Sequence, residues 1–345
     1  DREDGIWFAC NDSRAGRTRI THMGSQGYRS FDDFRDESFW RVKVDEANNK
    51  WFGGSKLVVT QNMDEGYFVW DPPTTLRDIE FGPDGTVYVA CTGLLYRLRD
   101  GQVTVDELPW LDGDVWDMEV GPDGTVYLAF GKTRDLYNLR GEIYFNTGAG
   151  WERLPQYPWR PTGGQSSLPV LSLALDASGR LWANLFGCLA VFDFERWNWR
   201  LIEHDGYSIF GSPGVQGRLT FDSHGNLWFF GFVYDHGFGT DPTRWGLCRF
   251  DGSRFDVWTQ KDGILPDLLP YRYNESALFR AISEDQYGNI WAPGNGMSLL
   301  LADESLVLRP SAARADDSGA IQAGSELTLS TGFQYVAPSA GADLY

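Results

Sequence analysis

One pattern returns seven times along this chain: an apolar run, a tight polar turn, then a strand-like run opening on Trp or Tyr. Clear copies are Phe81-Gly-Pro-Asp-Gly-Thr-Val-Tyr88, Val120-Gly-Pro-Asp-Gly-Thr-Val-Tyr127, Leu175-Asp-Ala-Ser-Gly-Arg-Leu-Trp182 and Phe221-Asp-Ser-His-Gly-Asn-Leu-Trp228. Ser283 to Trp291 is a further copy, and Val44 to Trp51 and Arg2 to Trp7 are weaker ones. The anchors are Trp7, Trp51, Tyr88, Tyr127, Trp182, Trp228 and Trp291. A repeat of this kind is one supersecondary unit that buries its apolar faces only against neighbouring copies. That explains how 345 residues organise without splitting into domains of about 100–200 residues.

The turn has a clear chemistry. Asp near its start accepts hydrogen bonds from backbone N–H groups ahead of it. Gly85, Gly124, Gly179, Gly225 and Gly288 supply the left-handed residue that a short hairpin needs. Asn48 fills that place in the second copy, since Asn tolerates the left-handed region. These Asp residues lack the ligand spacing and terminal Glu of a Ca²⁺ loop, so they read as turn residues.

After each anchor comes a small residue and an alternating strand, such as Gly93 to Leu98, Gly187 to Phe192 and Gly246 to Phe250. A further strand follows, as in Gln102 to Glu107 and Arg254 to Trp258. The sequence therefore predicts an all-β, seven-bladed β-propeller of four-stranded antiparallel blades. The first copy begins at its anchor strand and lacks an inner strand. Ser325–Ser330 or Gly332–Val336 is expected to supply that inner strand and close the ring. The propeller then spans residues 1–336, and the Ala/Gly/Ser-rich residues 337–345 form a flexible tail.

Net charge is −18. A phosphate backbone demands a basic surface, so nucleic acid is an excluded partner. Anionic lipid is disfavoured for the same reason. No apolar run approaches the roughly 18 residues that span a bilayer, so no transmembrane segment is expected. The chain opens at Asp1 without an initiator Met and is expected to start inside a longer precursor. Cys10, Cys91, Cys188 and Cys248 form no CxxC pair and read as small buried thiols. No cofactor is expected; the alternative, Ca²⁺ or another divalent ion on an acidic face, has no motif behind it, and no metal ligand is assigned.

Gly246-Leu-Cys-Arg-Phe-Asp-Gly-Ser-Arg-Phe-Asp-Val-Trp-Thr-Gln-Lys-Asp-Gly-Ile-Leu-Pro-Asp267, followed by Ala281-Ile-Ser-Glu-Asp-Gln-Tyr-Gly-Asn-Ile-Trp291, resembles the two-component regulator propeller repeats. The resemblance covers about residues 1–306, strongest in units five to seven. It departs after the anchor Trp, where Ala292-Pro-Gly, Ala183-Asn-Leu and Phe229-Phe-Gly stand in place of the family's small-residue motif. It implies extracytoplasmic sensor regions of bacterial hybrid kinases, in the periplasm or secreted. It implies the fold strongly and ligand sensing less so, because a fold hosts many functions.

In a propeller, the A–B and C–D turns share one face, and the B–C and D–A connections share the other. The long insertions Asn11–Arg17, Gly131–Gly141, Pro155–Pro169, Glu203–Gly217, Gly231–Trp245 and Lys261–Ala277 all fall on B–C or D–A connections. Long loops in a compact fold are where function concentrates. Trp110, Trp116, Tyr157, Trp159, Arg160, Tyr207, Tyr234, Trp245, Tyr271 and Arg272 put aromatics beside polar groups there, which suits a glycan, a peptide or a partner protein. The plain alternative is that these aromatics pack their own loops. His204 and His236, with Asp235, form a candidate acid–base set for a lyase or hydrolase. No catalytic motif surrounds them, so binding is the favoured reading. Arg77, Asp78, Asp117, Arg218 and Arg280 lie on inner strands, where strict alternation lets only some face inward. A structural subunit of a larger assembly is the third reading.

Overall fold

The structure, a computed structural model, describes residues 5–12, 17–24, 27–31, 34, 37–108, 114–131, 141–156, 170–185, 188–204, 207–208, 218–231, 246–259, 262, 282–293, 297–300, 311–315, 321–326 and 333–335. These residues hold seven blade sheets. The first pairs β1 (Ile6–Asp12), β2 (Arg17–Gly24) and β3 (Gly27–Phe31). The second holds β4 (Phe39–Val44), β5 (Lys50–Gly54), β6 (Leu57–Thr60) and β7 (Phe68–Trp70). The third holds β8 (Leu76–Phe81), β9 (Val87–Cys91), β10 (Leu94–Arg99) and β11 (Gln102–Glu107). The fourth holds β12 (Asp114–Val120), β13 (Val126–Gly131), β14 (Gly141–Asn146) and β15 (Trp151–Arg153). The fifth holds β16 (Val170–Leu175), β17 (Leu181–Leu185), β18 (Cys188–Asp193) and β19 (Asn198–Leu201). A hairpin of β20 (Glu203–His204) and β21 (Tyr207–Ser208) follows. The sixth sheet holds β22 (Thr220–Phe221), β23 (Leu227–Gly231), β24 (Gly246–Phe250) and β25 (Phe255–Thr259). The seventh begins with β26 (Ser283–Glu284), β27 (Ile290–Pro293) and β28 (Met297–Leu300). After a hairpin of β29 (Ser311–Ala315) and β30 (Ile321–Glu326), β31 (Phe333–Tyr335) pairs with β28 as its fourth strand. All of these pairings are antiparallel, and the chain is the expected seven-bladed β-propeller.

The C-terminal segment departs from the expected closure. Phe333–Tyr335 joins the seventh sheet, and Ser325 and Glu326 pair with the hairpin strand β29. Among the described residues the first sheet keeps three strands. Period-2 alternation marks a segment as a strand and says nothing of its partner. Here the segment Phe333–Tyr335 pairs with β28.

The chain forms two compact units, residues 1–23 with 29–201, and residues 24–28 with 202–345. In the first unit, consecutive first strands touch: β4 meets β8, β8 meets β12, and β12 meets β16. The fourth strands lie outermost, with β11 exposed along most of its length. The cores sit between successive sheets. Leu57 of the second meets Leu76, Ile79, Val89 and Tyr96 of the third. Tyr88, Ala90 and Leu95 of the third meet Val115, Met118 and Leu128 of the fourth. In the second unit, Trp228, Phe230 and Leu247 meet Ile290 and Leu300. Each blade is therefore stabilised by its neighbour, as a repeat requires.

The turns after the first strands are nearly identical. Gly85, Gly124, Gly179, Gly225 and Gly288 have φ between 77° and 82°, and Asn48 has φ 64°. Four Trp anchors donate Nε1–H to an Asp carboxylate six residues earlier: Trp51 to Asp45, Trp182 to Asp176, Trp228 to Asp222 and Trp291 to Asp285, at 2.8–2.9 Å. The other oxygen of the same Asp accepts turn amides, such as Asn226 N–H at 2.8 Å and Asn289 N–H at 2.9 Å. Turn and anchor are thus one hydrogen-bonded unit. In the Tyr-anchored third and fourth blades, Gly82 and Gly121 replace that Asp. Asp84 and Asp123 accept from Thr86 and Thr125 N–H instead. Phenol has no N–H to deliver, so the carboxylate moves to where the amides are.

Lys50 breaks the pattern. The residue before the anchor is apolar in Val87, Val126, Leu181, Leu227 and Ile290. Lys50 is 1% exposed, and its ammonium donates to the Gln61 carbonyl at 2.8 Å. Cys91 and Cys248 are buried free thiols, as expected; the side chains of Cys10 and Cys188 lie outside the described residues.

Candidate functional site

In an antiparallel meander, the second-to-third link leaves the same end at which the first strand begins and the fourth ends. The long insertions obey this rule. They fall between β1 and β2, β13 and β14, and β23 and β24, and after β15, β19 and β25. Apart from the β20–β21 hairpin, their interiors lie outside the described residues, but the strand ends that root them do not.

At that loop end of the first unit, the inner strands share a device. Each pairing of first and second strands skips one residue: between Phe39 and Arg41, Leu76 and Asp78, Val115 and Asp117, and Val170 and Ser172. Four β-bulges thus sit at one repeat position, occupied by Trp40, Arg77, Trp116 and Leu171. A bulge re-aims side chains that strict alternation would send to opposite faces.

At three of the four bulges the following residue ties one blade to the next. Asp78 is fully buried and receives Arg41 Nε–H at 2.9 Å, with Arg41 also buried. The other Asp78 oxygen accepts Met118 N–H at 2.9 Å. Asp117 repeats the move, accepting Leu173 N–H at 2.7 Å. The Arg41 guanidinium also donates to the carbonyls of Trp40 and Trp116, at 3.1 and 3.3 Å. A buried ion pair survives only when further hydrogen bonds complete it, as here.

Three of the bulged residues, Trp40, Arg77 and Trp116, stay half-buried, while Leu171 is buried. Arg77 pairs with Asp114 at 2.7 Å, while Thr92 Oγ1 accepts from Arg77 at 3.3 Å and donates to Asp114 at 3.1 Å. Trp40 donates Nε1–H to the Leu76 carbonyl at 3.1 Å. The Trp116 indole lies over Gly131, where a Cβ would stand 2.8 Å from the ring. Gly131 ends β13 at the root of a long insertion, so only glycine leaves that ring its place. Two indoles and a clamped guanidinium, from three consecutive inner strands, therefore line the loop end. Below them Cys91 closes β9, its thiol pushed up to about 12 by burial, with the Arg77 charge pulling weakly the other way.

Of the site residues read from sequence, the structure places Trp116 here. His204 and Tyr207 are cross-strand partners in the β20–β21 hairpin, their side chains outside the described residues. Trp110, Tyr157, Trp159, Arg160, Tyr234, Asp235, His236, Trp245, Tyr271 and Arg272 lie outside the described residues, as does Arg280. His224 sits in an A–B turn, as expected, its N–H donating to Asp222. Arg77 and Asp78, neighbours on a strand where alternation lets only some residues face inward, both reach the fourth blade. Trp40, Arg41 and Thr92 were missed, and Asp114, read as part of an acidic turn between Trp110 and Trp116, opens β12 and pairs with Arg77. The usable signal was their fixed offset: Trp40, Arg77 and Trp116 each stand eleven residues before an anchor.

No family model matches the chain, and no curated protein matches it. Solved structures do. The extracellular domain of the putative hybrid two component system BT4673 from B. thetaiotaomicron matches with 16% identity and TM-score 0.53, over 90% of this chain and 40% of that one. A second structure, described as the extracellular domain of the putative one component system BT4673 from B. thetaiotaomicron, matches with 16% identity and TM-score 0.52, over 95% and 45%. The chain thus spans less than half the length of these two structures. A third, "YCF48 bound to D1 peptide", matches with 15% identity and TM-score 0.54, over 85% and 86%. At such identities the likeness is one of fold, and it agrees with the resemblance to regulator propellers. Among the described residues, no helix is long and apolar enough to cross a membrane.

Proposed function

We propose that this chain is the binding propeller of an extracytoplasmic, sensor-like protein, and that the loop end of its sheets takes a glycan, a peptide or a partner protein. One observation carries the reading: Trp40, Arg77 and Trp116 recur at one bulged repeat position, half-buried, at the end of the first unit's sheets where that unit's long insertions are rooted. Indole faces bind sugar rings or apolar side chains, and a guanidinium held by a carboxylate is a pre-oriented hydrogen-bond donor. The extracellular two-component domains among the similar structures support the location and the sensing role. The peptide complex among them supports a peptide as one ligand class.

The test is a glycan and peptide array probed with wild type, Trp116→Ala, Arg77→Ala and the double variant His204→Ala/His236→Ala. The proposal expects specific hits that weaken at least tenfold in the first two variants. Hits unaffected by both place the site elsewhere. Turnover of a hit, abolished in the histidine double variant, replaces binding with catalysis.

A further inference from the structure

Blade outer edges differ sharply. β11 is the longest fourth strand, Gln102–Glu107, and Gln102 to Val105 are all exposed. By contrast Phe255 at the start of β25 is buried and the rest of that strand is half-covered. β11 carries none of the Lys, Pro or bulge devices that blunt an edge. Among the described residues nothing pairs with its outer side.

Its apolar side chains face a matching wall. Val103 and Val105 stand opposite Leu98 and Tyr96 in the ladder, so all four share one sheet face. That face looks at the second blade, because Tyr96 meets the Trp70 ring edge-on at 4.7 Å. On the second blade, Phe68 and Trp70 stand opposite Val59 and Leu57, which belong to the same inter-blade core. Phe68 is 62% exposed, Val103 57% and Val105 48%. The cleft between blades two and three therefore opens at the perimeter with apolar walls and an unpaired ladder beside them.

We propose that this cleft docks an extended segment of a partner protein, added as a strand along β11, with alternate apolar side chains entering the cleft and Lys or Arg flanking them. Strand addition uses such a combination of free backbone ladder and alternate pockets. Charge selects the occupant. Glu107 and Asp100, the latter 3.6 Å from Arg99, are exposed at the two ends of β11, while Arg97 and Arg99 pair with Asp106 and Asp84. A second copy of this chain would bring another net charge of −18, whereas a basic segment is attracted. This surface is separate from the bulged loop end and does not depend on it.

The test uses a fluorescein-labelled peptide of alternating Val and Thr flanked by two Lys on each side, its Glu-flanked counterpart, and a random peptide display library. Targets are wild type, Val103→Lys/Val105→Lys and Trp116→Ala, with matched melting curves. Both valines are exposed, so the double variant is expected to fold. The proposal expects the Lys-flanked probe to bind over the Glu-flanked one, and library hits to be basic and strand-forming. Binding should fall tenfold or more in the lysine double variant and hold in Trp116→Ala. Equal binding of both probes, hits indifferent to the lysine variant, no peptide binding, or a dimer of the chain that the lysine variant dissolves would each overturn it. Loss only in Trp116→Ala assigns the peptide to the loop end instead.

Discussion

The two ends of the sheets obey different rules. At the A–B end, six turns repeat one hydrogen-bond plan, with an Asp caging amides and a left-handed residue at a fixed place. At the loop end, one bulge position holds Trp, Arg, Trp and Leu in turn, and the links beyond it vary in length. The uniform end carries the fold, and the bulged end carries the variation. Its buried carboxylates keep that variation from costing the blade contacts, because Asp78 and Asp117 fasten each inner strand to the next whatever the bulged residue is.

This contrast can be broken at either end. The largest effect is expected from Asp78→Ala. It strands a buried Arg41 and a buried amide and should cost about 3–5 kcal/mol, seen as a large drop in the urea midpoint. Next comes Gly225→Ala at the uniform end, where φ is +82°. A Cβ there should cost about 1–2 kcal/mol, with no change in ligand binding.

Asp176 gives a smaller, pH-dependent effect. Burial pushes its carboxyl up, but hydrogen bonds from Ser178, Trp182 and Arg180 outweigh burial and hold it below the usual carboxylate range. A lowered folded pKa contributes stability that is present above the unfolded value, near pH 4, and is lost as pH falls through the folded value. Asp176→Asn should lose about 1 kcal/mol at neutral pH and show a flatter midpoint between neutral pH and acid. The smallest effect tests whether the loop end is packed shut. Cys91, buried beneath Arg77 with its thiol near 12, should resist iodoacetamide at pH 8, read by peptide mass spectrometry. Rapid alkylation would mean that this end opens.

The fold was legible because its turns need particular residues. Gly at the left-handed position, Asp before it and an aromatic after it are chemical requirements, so they recur in sequence even where the rest diverges. Asn48 was readable for the same reason. The partner of the C-terminal strand was not, since Phe333–Tyr335 alternates identically whichever edge it joins. The loop end was half legible. The insertions and Trp116 stood out, but a bulge leaves no residue signature. Alternation alone therefore left open which of Arg77 and Asp78 faces inward, and both reach the next blade. Arg41 and Asp114 became meaningful only when the structure brought them to Asp78 and Arg77.

The central claim is that the bulged loop end, and not the uniform turn end, recognises a ligand. Calorimetric titration of the strongest glycan or peptide array hit tests it with one aromatic from each end: Trp116→Ala at the bulge, and Tyr287→Ala in the seventh A–B turn, where the ring is 63% exposed. The account expects at least a tenfold loss of affinity for Trp116→Ala and an unchanged value for Tyr287→Ala. Unchanged binding in Trp116→Ala together with loss in Tyr287→Ala would contradict it.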